Sequence, residues 1–240
     1  KVGILDGNAE NLSEKEILDR IKILSPRMIC LVVYGQNVNA GTTNMSGAIV
    51  LSEYLKNNII TPISIIGSHV QALPTKTLKK EKSIDFVFTN EGVYALRNIL
   101  KINKFSFENL SKIKGIAFRH NDKIIINEPE IIVPNDKMDV DLPGYAWDLL
   151  PYKKKPLDLY RAPMWHAEYD FKKRTPYASL QTSLGCQFGC NFCMINILNR
   201  DDNDEIGVAS NYSKMRFWST DFIINEFDKL IDMGVKTIRI

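Results

Sequence analysis

Cysteine and histidine are scarce in this chain, four and three in 240 residues. That excludes a disulfide scaffold, which is short and dense in cysteine. No apolar run approaches the ~20 residues a membrane-spanning helix needs, so no membrane partner is expected. No signal peptide is legible, and the start at Lys1 without a Met reads as a chain missing an upstream segment. Charge of one sign is lacking too. Thirty-one Lys plus Arg against 28 Asp plus Glu leave a net +3, which argues for no nucleic-acid partner. Neither common phosphate signature is present: there is no G-x-G-x-x-G, and the Gly35 to Gly41 interval lacks the Lys of a Walker loop. With 45% apolar and 25% charged residues the chain still buries a real core. At about 150 residues per domain it holds one or two domains.

Short β-branched runs at residues 2–5, 28–33, 63–66 and 85–88 read as buried parallel strands. Helical patterns over 13–24, 45–57, 75–80 and 93–102 alternate with them. Ser13 and Glu16 form a capping box, and Ile17, Ile21 and Leu24 an apolar face. Strands at 115–120 and 123–127 flank Asn121 and Asp122 and predict a hairpin at the sheet's end. Residues 1–127 are therefore expected to form one α/β domain.

From 128 to 176 the periodicity stops, and six of the ten prolines fall between 129 and 163. Tyr145, Trp147, Tyr152, Tyr160, Trp165, Tyr169 and Phe171 are too apolar for a solvated tether, so an ordered interdomain linker is expected. A strand at 177–183 then leads to the cysteines. After a polar loop, Ser219 caps a helix whose predicted buried stripe is Ile223, Phe227, Leu230 and Ile231. Gly234 ends it, and 235–240 begins another strand. The third region, 177–240, thus reads as a truncated βαβ unit.

Three of the four cysteines, Cys186, Cys190 and Cys193, crowd into a C-x3-C-x2-C loop at the C-terminal end of a predicted strand. Such clustering suits metal chemistry in a reducing compartment, and a cytoplasmic location is expected. Three thiolates on one tight loop can hold three corners of a [4Fe–4S] cubane or three positions on zinc. Structural zinc takes a fourth protein ligand, and no Cys or His follows Cys193, which favours the cluster. Cys30 lies alone in a predicted strand and reads as a small core residue.

Residues 182–193, with Thr182 and Gly185 before the cysteines and Phe192 between the last two, resemble the signature of radical S-adenosylmethionine (radical SAM) enzymes. The resemblance implies that the cysteines bind three irons of a [4Fe–4S] cluster, that S-adenosyl-L-methionine takes the fourth, and that Phe192 lies near its adenine. The helix opening at Trp218, Ser219 and Thr220 and the strand 237–240 look like the first helix and second strand of a partial (β/α) barrel.

The Gly- and hydroxyl-bearing turns after the earlier strands look like those of the cobalamin-binding domain fused to many such enzymes. Residues 4–6, 33–35 with Thr42 and Thr43, 66–69 with Leu73 and Pro74, and 90–92 carry the likeness. It implies a Rossmann-like domain in which Asp6, Gly35, Thr42, Thr43, Gly67, Ser68, His69, Glu91 and Gly92 contact cobalamin. The sequence departs at Ser68, where a second Gly is common, and at Asn90, where Gly is usual and strain is expected. The activity implied is radical methylation of an unactivated carbon on a small-molecule or biosynthetic-intermediate substrate, with flavodoxin or ferredoxin as electron donor. The alternatives are rearrangement or cyclisation without methyl transfer, or a corrinoid sensor with a regulatory cluster.

Overall fold

The computed structural model describes residues 1–34, 38–153, 170, 172–188 and 214–240. The chain forms two compact units: Leu18–Val133 with Gly185–Met215, and Lys1–Ile17 with Pro134–Leu184 and Arg216–Ile240. Tyr160, Trp165, Tyr169 and Phe171 lie outside the described residues.

The first unit is built on a five-stranded mixed sheet in the order β1(Ile29–Val32), β2(Ile63–Ile66), β3(Phe86–Phe88), β4(Ile116–His120), β5(Lys123–Ile126). The first three strands are parallel, and β4 and β5 are antiparallel additions joined by a hairpin. Asn121 and Asp122 both take left-handed backbone angles, φ 46° and 62°, as a two-residue turn requires. Helices α1(Glu14–Leu24) and α2(Val38–Lys56) precede β1 and β2. Two short helices, α3(Ser68–Ala72) and α4(Pro74–Lys80), precede β3, and α5(Val93–Lys101) and α6(Phe107–Leu110) precede β4. Phe86, Phe88, Ile99, Ile116 and Phe118 are buried in one cluster, with Cys30 packed against it as a core residue. Each such apolar side chain contributes about 1.5–3 kcal/mol on full burial.

The capping box at α1 is present: Ser13 N–H donates to Glu16 Oε2 at 2.9 Å, and Glu16 N–H reaches back to Ser13 Oγ at 3.4 Å. The buried face consists of Ile17, Leu18 and Ile21, whereas Leu24 is exposed. Residues 2–5 form no strand. Val2 and Ile4 are exposed, and the chain turns directly after them, Asp6 Oδ1 accepting the Ala9 N–H at 2.9 Å.

In the second unit, a short helix α7(Met138–Asp141) comes first, and β6(Tyr177–Ser179) pairs in parallel with β9(Thr237–Arg239) around helix α8(Thr220–Asp232), a βαβ arrangement. The predicted 177–183 strand is broken. Its end becomes β7(Ser183–Leu184), antiparallel to β8(Arg216–Phe217). Ser219 Oγ caps α8 by accepting the Phe222 N–H at 3.1 Å, and Gly234 ends it at φ 87°.

The inward stripe of α8 differs from the expected one. Ile231 is 59% exposed, while Glu226 is fully buried. The chain before β6 explains the exchange. Trp147 Nε1–H donates to Glu226 Oε2 at 3.1 Å, and the Lys229 ammonium donates to Oε1 at 2.5 Å. Gly144, at φ 92°, faces the carboxylate so closely that a Cβ there would lie 2.6 Å from Oε1. Beneath them Trp147, Tyr152, Ala178, Leu230 and Val235 form the unit's core. Glu226→Ala leaves a buried indole N–H unpaired and is expected to cost about 1–3 kcal/mol in urea unfolding. Glu226→Gln, which keeps an acceptor, should cost less; equal losses would show that the indole bond contributes nothing.

Candidate cofactor site

The C-terminal ends of β1, β2 and β3 lie side by side, the edge at which open α/β sheets bind ligands. At β1, Tyr34 follows Val33; at β2, the chain passes through Gly67 into α3; at β3, Thr89 and Asn90 lead to Gly92. Gly67 approaches β1 so closely that a Cβ would stand 2.0 Å from the Val33 carbonyl oxygen. The protein's own backbone thus demands a glycine here. Gly92, at φ 78°, would strike the Ile66 side chain at 2.3 Å if it carried a Cβ.

Thr42 and Thr43 are not in a turn, as expected from sequence, but exposed within α2. Asn44 Nδ2 donates to Tyr34 O at 2.9 Å and ties this part of α2 to β1. Ser68 and His69 likewise open α3 instead of a loop, with Ser68 buried. Thr42 Oγ1 and His69 Nδ1 stand 3.2 Å apart, which brings two of the expected contacts together. Burial holds the His69 imidazole below the usual histidine range, and Lys76 pushes it the same way. The ring is therefore neutral at pH 7, with one nitrogen donating and one accepting.

Asn90, expected to be strained, is not among the residues with positive φ. It is buried and earns its place by its amide: Oδ1 accepts the Gly92 N–H at 2.9 Å, and Nδ2 donates to Glu130 O at 2.6 Å. Glu91 accepts the Val133 N–H at 2.5 Å, so this carboxylate fastens the segment leaving the sheet. Asp6 belongs to the other unit, where it closes its own turn. Gly35 lies outside the described residues.

Sequence reasoning missed Gln71. It is wholly buried on α3, and Nε2 donates to Tyr34 OH at 3.1 Å and to Asn90 O at 2.6 Å. One amide thus links the ends of β1 and β3. Nothing in the local sequence distinguishes it from a solvated Gln.

The cysteine loop starts immediately after β7. Gly185, at φ 90°, turns the chain, and Cys186 follows as a half-buried free thiol. The Phe188 N–H donates to Cys186 Sγ at 3.5 Å. A half-buried sulfur that already receives a backbone N–H suits a cluster thiolate, whose charge such bonds temper. Cys190, Phe192 and Cys193 lie outside the described residues. Among the described residues no group of His, Cys, Asp and Glu is placed to hold a metal ion, and no helix is long and apolar enough to cross a membrane.

Solved structures share the fold. The cobalamin-dependent S-adenosylmethionine radical enzyme OxsB, with aqua-cobalamin and S-adenosylmethionine bound, matches 92% of the chain at a TM-score of 0.59 and 16% identity. The radical S-adenosylmethionine methyltransferase TsrM from Kitasatospora setae, with tryptophan and a SAM analogue bound, matches 98% at 0.58 and 13%. The fold is that of cobalamin-dependent radical SAM enzymes. It combines a Rossmann-like sheet with the start of a partial barrel. The matched parts are 25% of the OxsB chain and 40% of TsrM.

Two curated relatives align over 193 residues, 80% of the chain. One is the uncharacterized methyltransferase PH0819 of Pyrococcus horikoshii, 28% identical; the other is the anaerobic magnesium-protoporphyrin IX monomethyl ester cyclase of Synechocystis, 25% identical. The chain spans about a third of their lengths, 36% and 34%. No family profile matches it.

Proposed function

We propose that the chain belongs to a cobalamin-dependent radical SAM enzyme that methylates an unactivated carbon of a small molecule. The observation that carries this reading is the C-x3-C-x2-C motif opening at Cys186 directly after β7, in a chain with this fold. Cys186, Cys190 and Cys193 would hold a [4Fe–4S] cluster, with S-adenosyl-L-methionine beside Phe192. Cobalamin would lie at the ends of β1 to β3, near Thr42, Thr43, Ser68 and His69. In this reading 1–127 is the cobalamin domain, 128–176 the linker and 177–240 the start of the barrel. The protein works in the cytoplasm with a flavodoxin- or ferredoxin-like donor.

When bound, these groups supply a carbon-centred radical and a transferable methyl group. The chain's own residues position and shield them. Gly185 turns the chain into the cysteine loop, and the Phe188 N–H bonds the Cys186 sulfur. Gln71 and Asn90 lock the strand ends together, so the cofactor edge is preorganised. Thr42 and the neutral His69 offer polar atoms from adjacent helices at that edge. A second reading, cyclisation without methyl transfer, is favoured by the cyclase relative.

Product analysis separates the two. Under strong reductant with a substrate pool, the full-length protein is expected to form both 5′-deoxyadenosine and S-adenosylhomocysteine, measured by mass spectrometry. Deoxyadenosine alone, with substrate consumed, would replace methylation by the second reading. Neither product would remove both.

A further inference from the structure

We infer that the ring of Tyr34, a residue outside the contacts expected from sequence, is a binding surface for cobalamin, presented there by a tether to the buried Gln71. The inference rests on the cofactor edge proposed above. Tyr34 is the first residue past the sheet. The ladder holds up to its neighbour: the Val33 N–H donates to Ile66 O at 2.8 Å, and Val33 is buried. Tyr34 itself is 43% exposed.

That exposure is unusual in kind. A surface tyrosine ordinarily packs its ring on the protein and leaves its hydroxyl in water. Here the hydroxyl is turned inward, accepting from Nε2 of the wholly buried Gln71 at 3.1 Å. The carbonyl is tied as well, accepting from Asn44 Nδ2 at 2.9 Å. What the residue turns outward is therefore mainly ring.

The two ties run to different helices. Asn44 lies in α2 and Gln71 in α3, and the same helices meet directly through Thr42 Oγ1 and His69 Nδ1, 3.2 Å apart. Gln71 is fixed in turn by its bond to Asn90 O at 2.6 Å, just past the end of β3. Tyr34 thus extends β1, bonds the helix that leaves β2, and is linked through one amide to β3. Its ring has a set place at the edge where the three parallel strands end.

Stability alone does not account for this arrangement. Holding a ring in one orientation gives up its rotational freedom, and a ring left in water gains no burial. An ordered side chain does, however, lower the cost of binding a ligand that meets it. The chemistry of cobalamin matches the surroundings. Its broad, methyl-bearing macrocycle suits an aromatic face, and its peripheral amides suit the polar atoms of Thr42 and His69.

The test titrates the full-length protein with aquacobalamin, followed by its visible spectrum, beside two variants. Tyr34→Ala removes the ring; Tyr34→Phe keeps the ring and cuts the tether. Tyr34→Ala is expected to bind about tenfold more weakly and Tyr34→Phe about threefold, both with a wild-type circular dichroism spectrum and little change in the unliganded thermal midpoint. A Tyr34→Ala protein that binds like wild type overturns the inference and leaves the cobalamin reading standing. Weakening only in step with a lowered midpoint reduces the residue to a stabilising one and also overturns it. So does a Tyr34→Phe protein of wild-type affinity, since the ring would then need no tether. A wild-type protein that leaves the aquacobalamin spectrum unchanged overturns the reading and the inference together.

Discussion

Cys186→Ala, Cys190→Ala and Cys193→Ala are each expected to abolish the broad absorption near 400 nm that about four irons and four sulfides give the wild-type chain after anaerobic reconstitution. The loss should be complete, because a three-cysteine loop has no spare ligand. Cys30→Ala should load normally. Its thiol packs against the sheet core, burial raises its pKa, and the thiolate needed for metal binding is disfavoured there. Stoichiometric zinc without iron uptake would return the loop to the zinc alternative. Retention of the cluster in any of the three loop variants would remove that cysteine from the ligand set.

Replacements at the edge proposed for cobalamin should separate into two kinds. Thr43→Phe adds bulk to an exposed position of α2 and should leave the fold intact while weakening cobalamin binding at least tenfold, about 1.4 kcal/mol. Gly67→Leu should instead cost more than about 3 kcal/mol of stability, because its side chain has to start against the Val33 carbonyl. Circular dichroism and urea unfolding read the second effect, and spectral titration of cobalamin the first. A Thr43→Phe protein that binds like wild type would place the ligand away from α2. A Gly67→Leu protein of wild-type stability would mean that β1 and the β2–α3 connection can move apart.

The legibility of the sequence varied with how local the cause was. Strand β2 runs over Ile63–Ile66 as expected, since a β-branched run between two helices has few other uses. The hairpin at Asn121 and Asp122 was equally plain, because few residues tolerate two successive left-handed angles. Helix α2 was expected to start at 45 but starts at Val38. Gly41, Thr42, Thr43 and Asn44 are poor helix formers, and tertiary ties, among them the Asn44 to Tyr34 bond, override their propensity. The strand expected at 2–5 failed for the converse reason: good β residues do not make a strand without a neighbour to pair with.

Gly67 and Gly92 serve contacts inside the protein, a fact that spacing does not reveal. The burial of Glu226 is legible in its spacing. Glu226 lies three residues after Ile223 and four before Leu230, in register with the apolar face, and only its charge argued against burial. Its partner Trp147 is 79 residues away in sequence, beyond the reach of any local pattern.

That separation bears on the order in which the chain is assembled. All five strands of the mixed sheet have been synthesised by Ile126, so the sheet can close while the rest is still being translated. The second unit has no such advantage. Its core joins Trp147 and Tyr152 to Leu230 and Val235, and β6 waits for β9 at the far side of the cysteine segment. The entropy of closing that long loop falls on a late step. Until α8 and β9 emerge from the ribosome, Trp147 and Tyr152 have no core to enter and β6 no strand to pair with.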